Sequence, residues 1–505
     1  MAKICLCLTG KTLAQNLEVL DKYRKYADMV ELRVDCLEAD ERFVIRRFPE
    51  QAGLPVILTI RRRIDGGHFN SGEGARVSIL SRGLAFAETD RRRNFAYVDL
   101  EEDLEVPGLE EAVRTFGTRI IRSFHDLKGI TNVTQRLKAM CRVGDEIVKA
   151  AVTPQNMEDV FTLYRAVRRE CYGMEKIVLC MGPLGVNTRI LAEHMGSCFT
   201  YASPLEENYP IAAPGQLDPK DLVENYRFRE ITAATRIYAV VGYPLKTTFS
   251  PRIFNTAFSH EKIDAVYAPF PADNLNTFLS LARELNITGI SITIPHKEKI
   301  IPHLRKASGA VASSGACNTI RWDGQGWEGI NTDARGFSES LLGFMGKKNF
   351  RGLKITVLGA GGAARAVVSE IRRLKGKCLI LNRNAVRARD LALVHGCKWG
   401  ELDSQSLDTM ERYSDIIVQT TPVGTFPHVD RDPFEPYHFK GHEMVMDLIY
   451  NPERTAFLAR AQEAGCEVLN GLDMLIRQAK YQYRYFLGRD FPDEIMPRIS
   501  ETPGN

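Results

Sequence analysis

A single lysine interrupts an apolar stretch of the chain, EIVKAAVTP at residues 146–154. Alternation along a strand places Ile147, Lys149 and Ala151 on one face. Because burial disfavours the charged form of an amine, we expect Lys149 to carry a free amine. A free amine attacks carbonyl carbon, so Schiff-base chemistry is predicted. The alternative is a lysine on an edge strand that extends to water.

Other polar side chains follow short apolar runs in the first part of the chain, within the segments ELRVD, LTIR, RSFHD, GVNTRI and APGQL. Each could be a solvated surface residue, which is the usual fate of Arg and Glu. If the runs are parallel strands, however, their carboxyl ends meet on one rim, and a site is predicted there. The candidate residues are Glu31, Arg33, Arg61, His125, Lys149, Arg189 and Gln216.

A second pattern, ITVLGAGGAARAV, predicts a strand, a tight glycine turn and a helix. Gly359, Gly361 and Ala364 have the GxGxxG/A spacing, which lets the backbone approach a pyrophosphate at a helix N-terminus. A flexible glycine-rich turn is the alternative, but the strand before and the helix after favour a dinucleotide site. The turn residues proposed to hold the cofactor are Gly359, Ala360, Gly361, Gly362 and Ala363.

The next predicted strand, CLILNRN, indicates which dinucleotide binds. An acidic residue here would bind the ribose hydroxyls of NAD, whereas a cationic end favours the 2′-phosphate of NADP. The chain has Asn382, Arg383 and Asn384, with Arg387 one turn later. NADP is therefore the predicted cofactor, and ordinary surface arginines at a helix start are the alternative.

The secondary-structure elements that must position these residues are predicted from the alternation of apolar and amphipathic segments along the chain. Eight short apolar runs separated by amphipathic stretches occur in about the first 205 positions, which predicts parallel strands in a (β/α)8 barrel. The runs are Ile4–Leu8, Met29–Val34, Pro55–Ile60, Ala96–Leu100, Arg119–Phe124, Glu146–Val152, Lys176–Met181 and Phe199–Ala202. A new strand, Ile237–Gly242, follows a Pro- and Gly-rich stretch, and a second alternating α/β region begins at Lys354.

Composition narrows the class of protein. A length of 505 residues suggests about three domains. The net charge of +4 gives no field that would favour nucleic acid or a membrane surface. The eleven cysteines form no CxxC pair and no metal-binding spacing, so no metal is predicted and a reducing compartment is favoured. No apolar run approaches the ~20 residues of a membrane helix, and the predicted location is cytoplasmic.

Residues 1–226 resemble the type I 3-dehydroquinate dehydratases, a family of Schiff-base barrels, in the segments ELRVD, TIR before GG, SFHD, the strand lysine and APGQ. The resemblance implies that Lys149 forms the Schiff base and that His125 transfers protons. It also implies that substrate is bound by Glu31, Arg33, Arg61, Asp65, Arg189 and Gln216. The chain departs from the family pattern at Asp65, Ala212 and Cys7, where Glu, Ser and Ser are usual.

Residues 236–490 resemble the shikimate dehydrogenases in an ordered set of segments: GYPLKTTFSP, SITIPHKE, GACNT, NTDARG, GAGGAARA, TTPVGT, DLIYNPERT and GLDMLIRQA. The resemblance implies a catalytic pair, Lys297 and Asp333. The implied substrate contacts are Thr248, Ser250, Thr293, Asn318, Tyr450 and Gln478. Thr421, Leu448 and Gly471 match positions beside the cofactor. Thr248, Ser291, Asn384 and Gln419 depart from the usual residues.

Together the two resemblances imply an α/β chain with a (β/α)8 barrel at residues 1–226, followed by a two-lobed dehydrogenase. Its substrate lobe is predicted at 236–345, completed by helices at 471–490, and its Rossmann NADP lobe at 350–470. The implied function is dehydration of 3-dehydroquinate and NADPH-dependent reduction of the product to shikimate. Only these small molecules are expected as partners, and the oligomeric state is left open.

Three rivals to this function are considered. The first is a quinate-pathway regulator that binds ligand without turnover, which predicts loss of a catalytic residue, yet Lys149, His125, Lys297 and Asp333 are all present. The second is a fragment of a larger polypeptide of the pathway, which the lack of a P-loop signature disfavours. The third is an unrelated aldolase fused to a reductase, which the ordered segments disfavour.

Overall fold

The computed structural model describes residues 1–85, 89–140, 145–171, 173–206, 209–245 and 248–496. Two compact units are present, Met1–Ala239 with Tyr243–Asn286 and Val240–Gly242 with Ile287–Asn505. This division differs from the predicted domain boundaries, which stay a prediction. Lys246 and Thr247 of the GYPLKTTFSP segment lie outside the described residues.

The first unit opens with strands at each of the eight predicted runs. Within the described ranges they form one sheet of eight parallel strands, in which β1 pairs with both β2 and β8. A bridge between Lys176 and Ser197 connects the two ends of the sheet, which makes a nearly closed barrel. The strands are β1 Lys3–Leu8, β2 Met29–Arg33, β3 Val56–Thr59, β4 Tyr97–Glu101, β5 Arg119–Asp126, β6 Ile147–Val152, β7 Lys176–Cys180 and β8 Phe199–Ala202.

Helices cover the outside of this barrel, with apolar residues turned towards the strands. In α6, for example, Val160, Leu163 and Val167 are buried at the helical spacing of three and four residues. The helices are α1 Leu13–Tyr23, α2 Phe48–Ala52, α3 Glu73–Leu84, α4 Pro107–Thr115, α5 Val133–Met140, α6 Met157–Glu170, α7 Val186–Ile190 and α8 Pro219–Glu224.

The first unit also contains a strand–helix–strand–helix segment beyond the barrel: β9 Arg236–Gly242, α9 Ser250–His260, β10 Ala265–Pro271 and α10 Leu275–Glu284. Strand β10 lies beside β9, whose last three residues belong to the second unit. Helix α9 is fixed to β10 because the Asn255 side chain exchanges two hydrogen bonds with the Tyr267 backbone, at 3.0 and 2.8 Å. Phe254 stacks on the Tyr267 ring at 4.3 Å between centroids.

In the second unit, the end of β9 is followed across the sheet by β11, β13, β14 and β12. Pairing is antiparallel for β11 with β13 and for β13 with β14. The elements are β11 Gly289–Ile292, α11 His296–Lys299, β12 Leu304–Ala307, α12 Gly309–Ser314, β13 Thr319–Trp322, β14 Trp327–Ile330 and α13 Asp333–Met345.

A parallel sheet of six strands completes the second unit, within the described residues. Its order, β17-β16-β15-β18-β19-β20, is that of a dinucleotide-binding Rossmann fold. The strands are β15 Lys354–Leu358, β16 Lys377–Asn382, β17 Lys398–Glu401, β18 Ile416–Gln419, β19 Met444–Asp447 and β20 Glu467–Leu469. The helices are α14 Gly362–Arg373, α15 Ala385–His395, α16 Leu407–Glu411, α17 Ala456–Glu463 and α18 Leu472–Leu487.

Helix α18 returns to pack on α13, where a methyl group on Gly336 would lie 3.0 Å from Cβ of Gln478. This close approach explains why residues near 478 stand beside those at the start of α13. Among the described residues, no helix is long and apolar enough to cross a membrane.

Candidate active sites

A cavity of about 360 Å³ opens at the carboxyl ends of the barrel strands. All the side chains predicted to act in the barrel line it: Glu31, Arg33, Arg61, Asp65, His125, Lys149, Arg189 and Gln216. The convergence follows from parallel pairing, because every strand end faces the same rim. The structure therefore brings the predicted set together, and the role of each residue stays a prediction.

Lys149 is buried, with 4% of its surface exposed. Its Nζ lies 2.8 Å from Oδ2 of Asp99 and 3.7 Å from Oε1 of Glu31. The same amine sits 4.2 Å from the centroid of the Tyr201 ring. The alternative, a lysine on an edge strand that extends to water, is therefore wrong. The surroundings of Lys149 are also more acidic than the strand pattern indicated.

Asp99 is a residue of the barrel site that sequence reasoning missed. Besides Lys149, its Oδ2 meets Nη2 of Arg61 at 2.8 Å, and its Oδ1 accepts a hydrogen bond from Ser123 Oγ at 2.5 Å. Burial alone would raise the pKa of Asp99, but Arg61 and Lys149 outweigh it and hold that pKa well below its ordinary range. Acidic residues at alternate positions of a buried strand, as in YVDLE, were the available signal.

His125 lies on the same barrel face as Lys149. Strand pairing sets Lys149 opposite Ser123, and His125 is two residues further along β5. Burial, followed by the positive charges of Arg61 and Lys149, holds the pKa of His125 well below its ordinary value. His125 is therefore neutral at pH 7 and able to accept a proton.

Arg189 differs from the other two cavity arginines. Arg33 is held by Asp35 through bonds of 2.9 and 2.8 Å, and Arg61 by Asp99 and Glu101. Arg189 is 1% exposed, yet no carboxylate of the described residues lies within ion-pair distance of it. Its Nη atoms reach only two backbone carbonyls, both at 3.4 Å, and its Nε has no hydrogen-bond partner there.

Burial lowers the pKa of Arg189 to about 10, so the guanidinium is still charged at pH 7. A buried cation without an acidic partner is energetically unfavourable unless a bound anion compensates its charge. A substrate carboxylate would be such an anion, and a guanidinium can hold it through two parallel hydrogen bonds.

The remaining predicted barrel residues have partners of their own. Gln216 donates to Sγ of Cys7 at 3.2 Å, and its Oε1 accepts from the backbone of Ala213 at 3.1 Å. Asp65 pairs with Arg62 at 2.7 Å. Glu31 accepts from Thr59 Oγ1 at 2.9 Å. These bonds fix the walls of the cavity.

In the second unit, Lys297 and Asp333 form a close pair, with 2.5 Å between Nζ and Oδ2. The other carboxylate oxygen of Asp333 accepts from Nδ2 of Asn318 at 2.7 Å. Asn318 also donates to Oγ1 of Thr332, at 2.8 Å, and to Oε1 of Gln478, at 3.3 Å. A half-buried amine is thus held against an oriented carboxylate, an arrangement suited to general acid–base chemistry.

Two other predicted substrate residues lie in the first unit. The Thr248 hydroxyl donates to Oγ of Ser250 at 3.3 Å and accepts from the Ser250 backbone at the start of α9. In the second unit, Thr293 follows β11 and its backbone donates to Val241 at 2.9 Å. Tyr450 lies in the segment after β19, and its side chain is half-buried. Thr332 was missed by sequence reasoning, although it precedes Asp333 directly.

The turn between β15 and α14 has the shape that a pyrophosphate needs. Gly359 has a φ of +114°, and a methyl group there would lie 2.5 Å from Oγ1 of Thr420. At Gly361, by contrast, a methyl group would meet nothing within 4 Å, so the backbone faces open space beside the N-terminus of α14. The residues present therefore fit a dinucleotide phosphate.

The other predicted cofactor residues lie at the same sheet edge. Arg383 and Arg387 are exposed and form no ion pair with a described residue, which leaves both cations available for a 2′-phosphate. Asn384 caps α15, and Asn382 donates to the Asn384 carbonyl at 2.9 Å.

Three more predicted cofactor residues follow later strands. Gly471 stands against Leu448, where a methyl group would lie 2.1 Å from the Leu448 carbonyl oxygen. Thr421 follows β18, and its backbone donates to Oε1 of the buried Gln419 at 2.7 Å.

Family models match both halves of the chain. Residues 4–233 match the type I 3-dehydroquinase model, and residues 240–320 match the model of the shikimate dehydrogenase substrate-binding domain. The bifunctional 3-dehydroquinate dehydratase/shikimate dehydrogenase of Arabidopsis thaliana, described as chloroplastic, is 28% identical over 94% of this chain and 80% of the relative.

Two further comparisons concern one half and the whole chain. The shikimate dehydrogenase (NADP(+)) of Moorella thermoacetica is 35% identical over 54% of this chain and 94% of the relative. A solved structure of dehydroquinate dehydratase and shikimate dehydrogenase from S. pombe is 23% identical, with a TM-score of 0.42, and covers 99% of this chain and 98% of that one.

The chain belongs to the shikimate dehydrogenase family and carries a type I 3-dehydroquinase barrel in front of it. It is a bifunctional, NADP-dependent enzyme of the shikimate pathway, both lyase and oxidoreductase. The comparisons lend no support to the ligand-sensing regulator.

Proposed function

We propose that Lys149 forms a Schiff base with the ketone of 3-dehydroquinate in the barrel cavity. The observation that carries this assignment is the buried amine beside Asp99, in a cavity that also holds neutral His125 and Arg189, which has no acidic partner among the described residues. Lys149 Nζ attacks the carbonyl carbon, and water leaves to give an iminium. The iminium withdraws electrons from the neighbouring carbon, which lowers the barrier to removing its proton.

His125 accepts that proton and returns one to the departing hydroxyl group, which leaves as water. Hydrolysis of the iminium by a water molecule then releases 3-dehydroshikimate and restores the amine of Lys149. Arg189 binds the substrate carboxylate, because it alone of the three cavity arginines lacks an acidic partner among the described residues. Arg33 and Arg61 contact the substrate with guanidinium groups already oriented by Asp35 and Asp99. Glu31, Asp65 and Gln216 complete the substrate contacts.

In the dehydrogenase, Lys297 gives a proton to the ketone oxygen of 3-dehydroshikimate as it becomes the hydroxyl of shikimate. Asp333 orients the amine, and Asn318 orients Asp333 through its 2.7 Å bond. NADPH supplies the hydride when bound. The substrate is bound by Thr248, Ser250, Thr293, Asn318, Tyr450 and Gln478.

The cofactor would be held by three groups of residues. Gly359–Ala363 would hold its pyrophosphate, Asn382, Arg383, Asn384 and Arg387 would hold its 2′-phosphate, and Thr421, Leu448 and Gly471 would line the place of its nicotinamide. The open space at Gly361 and the free guanidinium groups support this placement.

The predicted domains, 1–226, 236–345 with 471–490, and 350–470, follow the order of the two reactions. We assign the protein to the cytoplasm on the scattered distribution of its cysteines, none of which is disulfide-bonded among the described residues. The substrates are the only partners proposed.

The test is a coupled assay that follows NADPH loss from 3-dehydroquinate. Lys149→Ala should abolish it while leaving reduction of supplied 3-dehydroshikimate intact, and Lys297→Ala should do the converse. Borohydride added with 3-dehydroquinate should also trap a covalent adduct at Lys149, located by peptide mass. Dehydration without trapping, or by the Lys149→Ala variant, would refute the Schiff-base assignment.

A further inference from the structure

We infer that Gly362 and Arg365, in the first turn of α14, are positioning residues for Lys297. The inference rests on the proposed role of Lys297 in proton transfer. It assigns to the cofactor-binding helix a second task, which is to place the amine of the substrate site.

Gly362 is the first residue of α14, and its helical backbone conformation is one that any residue can adopt. The dinucleotide fingerprint uses Gly359, Gly361 and Ala364, so Gly362 is not one of its glycines. A methyl group on Gly362 would lie 3.0 Å from Cδ and 3.1 Å from Cβ of Lys297. These distances fall below the ~3.5 Å at which carbon atoms pack favourably. An alanine at this position would therefore require the stem of Lys297 to shift by a few tenths of an ångström.

Lys297 is held at two other points. Its backbone carbonyl accepts from the Cys317 amide at 2.8 Å, and its Nζ lies 2.5 Å from Oδ2 of Asp333. The stem between these points rests on Gly362. Because the backbone of Lys297 is held by Cys317, a displacement of the stem changes the position of the amine relative to Asp333.

Arg365 acts one turn along the helix. Its Nη2 lies 3.1 Å from Oε2 of Glu298, the residue after Lys297. Its Nη1 passes 3.5 Å from the place where a methyl group on Gly315 would be. Glu298 is about half exposed, with 48% of its side chain accessible, so this ion pair is a weaker restraint than the contact at Gly362.

The first turn of α14 is also the turn proposed to hold the cofactor pyrophosphate. Cofactor and lysine therefore share one rigid element. A change that spares the cofactor but moves the stem of Lys297 should lower kcat without weakening NADPH binding, because proton transfer depends on placement of the amine.

The experiment compares Gly362→Ala with Gly309→Ala. Gly309 is also the first residue of a helix, and a methyl group there meets nothing within 4 Å. For Gly362→Ala we expect kcat for 3-dehydroshikimate reduction to fall about tenfold, as a sub-ångström misplacement predicts. The cofactor contact proposed at Gly362 is its backbone N–H, which alanine retains, so the Kd of NADPH, measured by fluorescence titration, should stay within about twofold. Gly309→Ala should match the parent enzyme.

The dehydratase reaction of the same chain serves as an internal measure of folding and concentration. An unchanged kcat in Gly362→Ala, or a Kd for NADPH that rises by the same factor as kcat/KM falls, would overturn the inference. Lys297→Ala, assayed in parallel, distinguishes failure of this inference from failure of the proposed function. If Lys297→Ala leaves the reduction of 3-dehydroshikimate intact, the proposed role of Lys297 is wrong.

A second variant keeps the inference testable if Gly362→Ala does not fold. Arg365→Gln and Glu298→Gln should each lower kcat about twofold to fivefold with little change in NADPH Kd, in keeping with an exposed ion pair. The double variant should lose no more than either single one, because both remove one contact. Additive losses, or no loss in any of the three, would refute the role of Arg365.

Discussion

At the scale of single residues, the three cavity arginines differ in whether a nearby carboxylate compensates their charge. Arg33 and Arg61 are neutralised by Asp35, Asp99 and Glu101, whereas Arg189 is buried beside backbone carbonyls alone among its hydrogen-bond partners. Among the described residues, Arg189 is therefore a buried charge without an acidic partner, and the proposed binding of the substrate carboxylate would relieve it. Such a residue serves function at the expense of stability.

Arg189→Gln should raise the KM for 3-dehydroquinate at least 30-fold, by an order-of-magnitude estimate of about 2 kcal/mol for a lost charged hydrogen bond. Its melting temperature should not fall, because an unpaired buried cation has been removed. Initial rates and thermal unfolding measure both effects. Arg92→Gln, at a surface arginine whose side chain is 90% exposed, is the control and should change neither. A variant that loses stability but keeps its KM would contradict the assignment.

The lowered pKa of His125 leads to a prediction about the pH dependence of the dehydratase reaction. Burial and the charges of Arg61 and Lys149 lower its pKa, so the neutral form persists to a pH well below the ordinary ~6.5 of histidine. The neutral form accepts the proton in the proposed mechanism, and acid removes it only once the pH falls through the lowered pKa. The acid limb of dehydratase kcat/KM should therefore lie well below pH 6.5. A limb assigned to His125 at or above pH 6.5 would be inconsistent with this environment.

At the scale of elements, the cations that pack beside a buried strand decide which of its acids are charged. Asp99, in the middle of β4, lies beside two cations on the barrel wall, but Asp447, the last residue of β19, has no cation beside it among the described residues. Its oxygens accept only from the Ile449 backbone at 3.0 Å and from Oγ1 of Thr455 at 2.8 Å, among the described residues. Burial outweighs these bonds and raises the pKa of Asp447 to about 7.

The raised pKa of Asp447 gives a stability prediction. Between its ordinary pKa near ~4 and the folded value of about 7, the folded state binds the proton more tightly than the unfolded state. Stability from this group is thus present at low pH and lost as pH rises through that window. Asp447→Asn cannot ionise, so its melting temperature relative to the parent should rise from pH 5 to about pH 7 and then level off towards pH 8. A constant difference across this range would show that Asp447 does not titrate there.

At the scale of the whole molecule, the first compact unit extends past the barrel to Asn286. Helix α6, which follows the strand of Lys149, is tied to residues around α10. The Met157 amide donates to Oδ1 of Asp273 at 2.9 Å, and Oγ1 of Thr277 donates to Oε2 of Glu158 at 2.9 Å. The dehydratase barrel therefore gains part of its stability from residues beyond the 4–233 family match.

Asp273→Ala tests this dependence. Loss of a carboxylate at a helix N-terminus typically removes ~1 kcal/mol, so dehydratase activity should be lost at a lower temperature although Asp273 lies outside the barrel. Asp273→Asn keeps an acceptor oxygen and should lose less. The measurement is residual dehydratase activity after brief heating. Equal heat resistance in the parent and Asp273→Ala would mean that this contact adds nothing to the barrel.

The sequence by itself determined the eight barrel strands and the glycine turn, and it predicted the two lysines that are proposed to be catalytic. Strand alternation and turn geometry are set by residues that are neighbours in the chain, and the ordered segments identified both halves. Tertiary structure alone decided the partners. Asp99 meets Lys149 across a separation of 50 residues, Arg189 is left without an acid among the described residues, and Gly362 lies under Lys297. Such contacts depend on how distant segments pack, which no local pattern specifies.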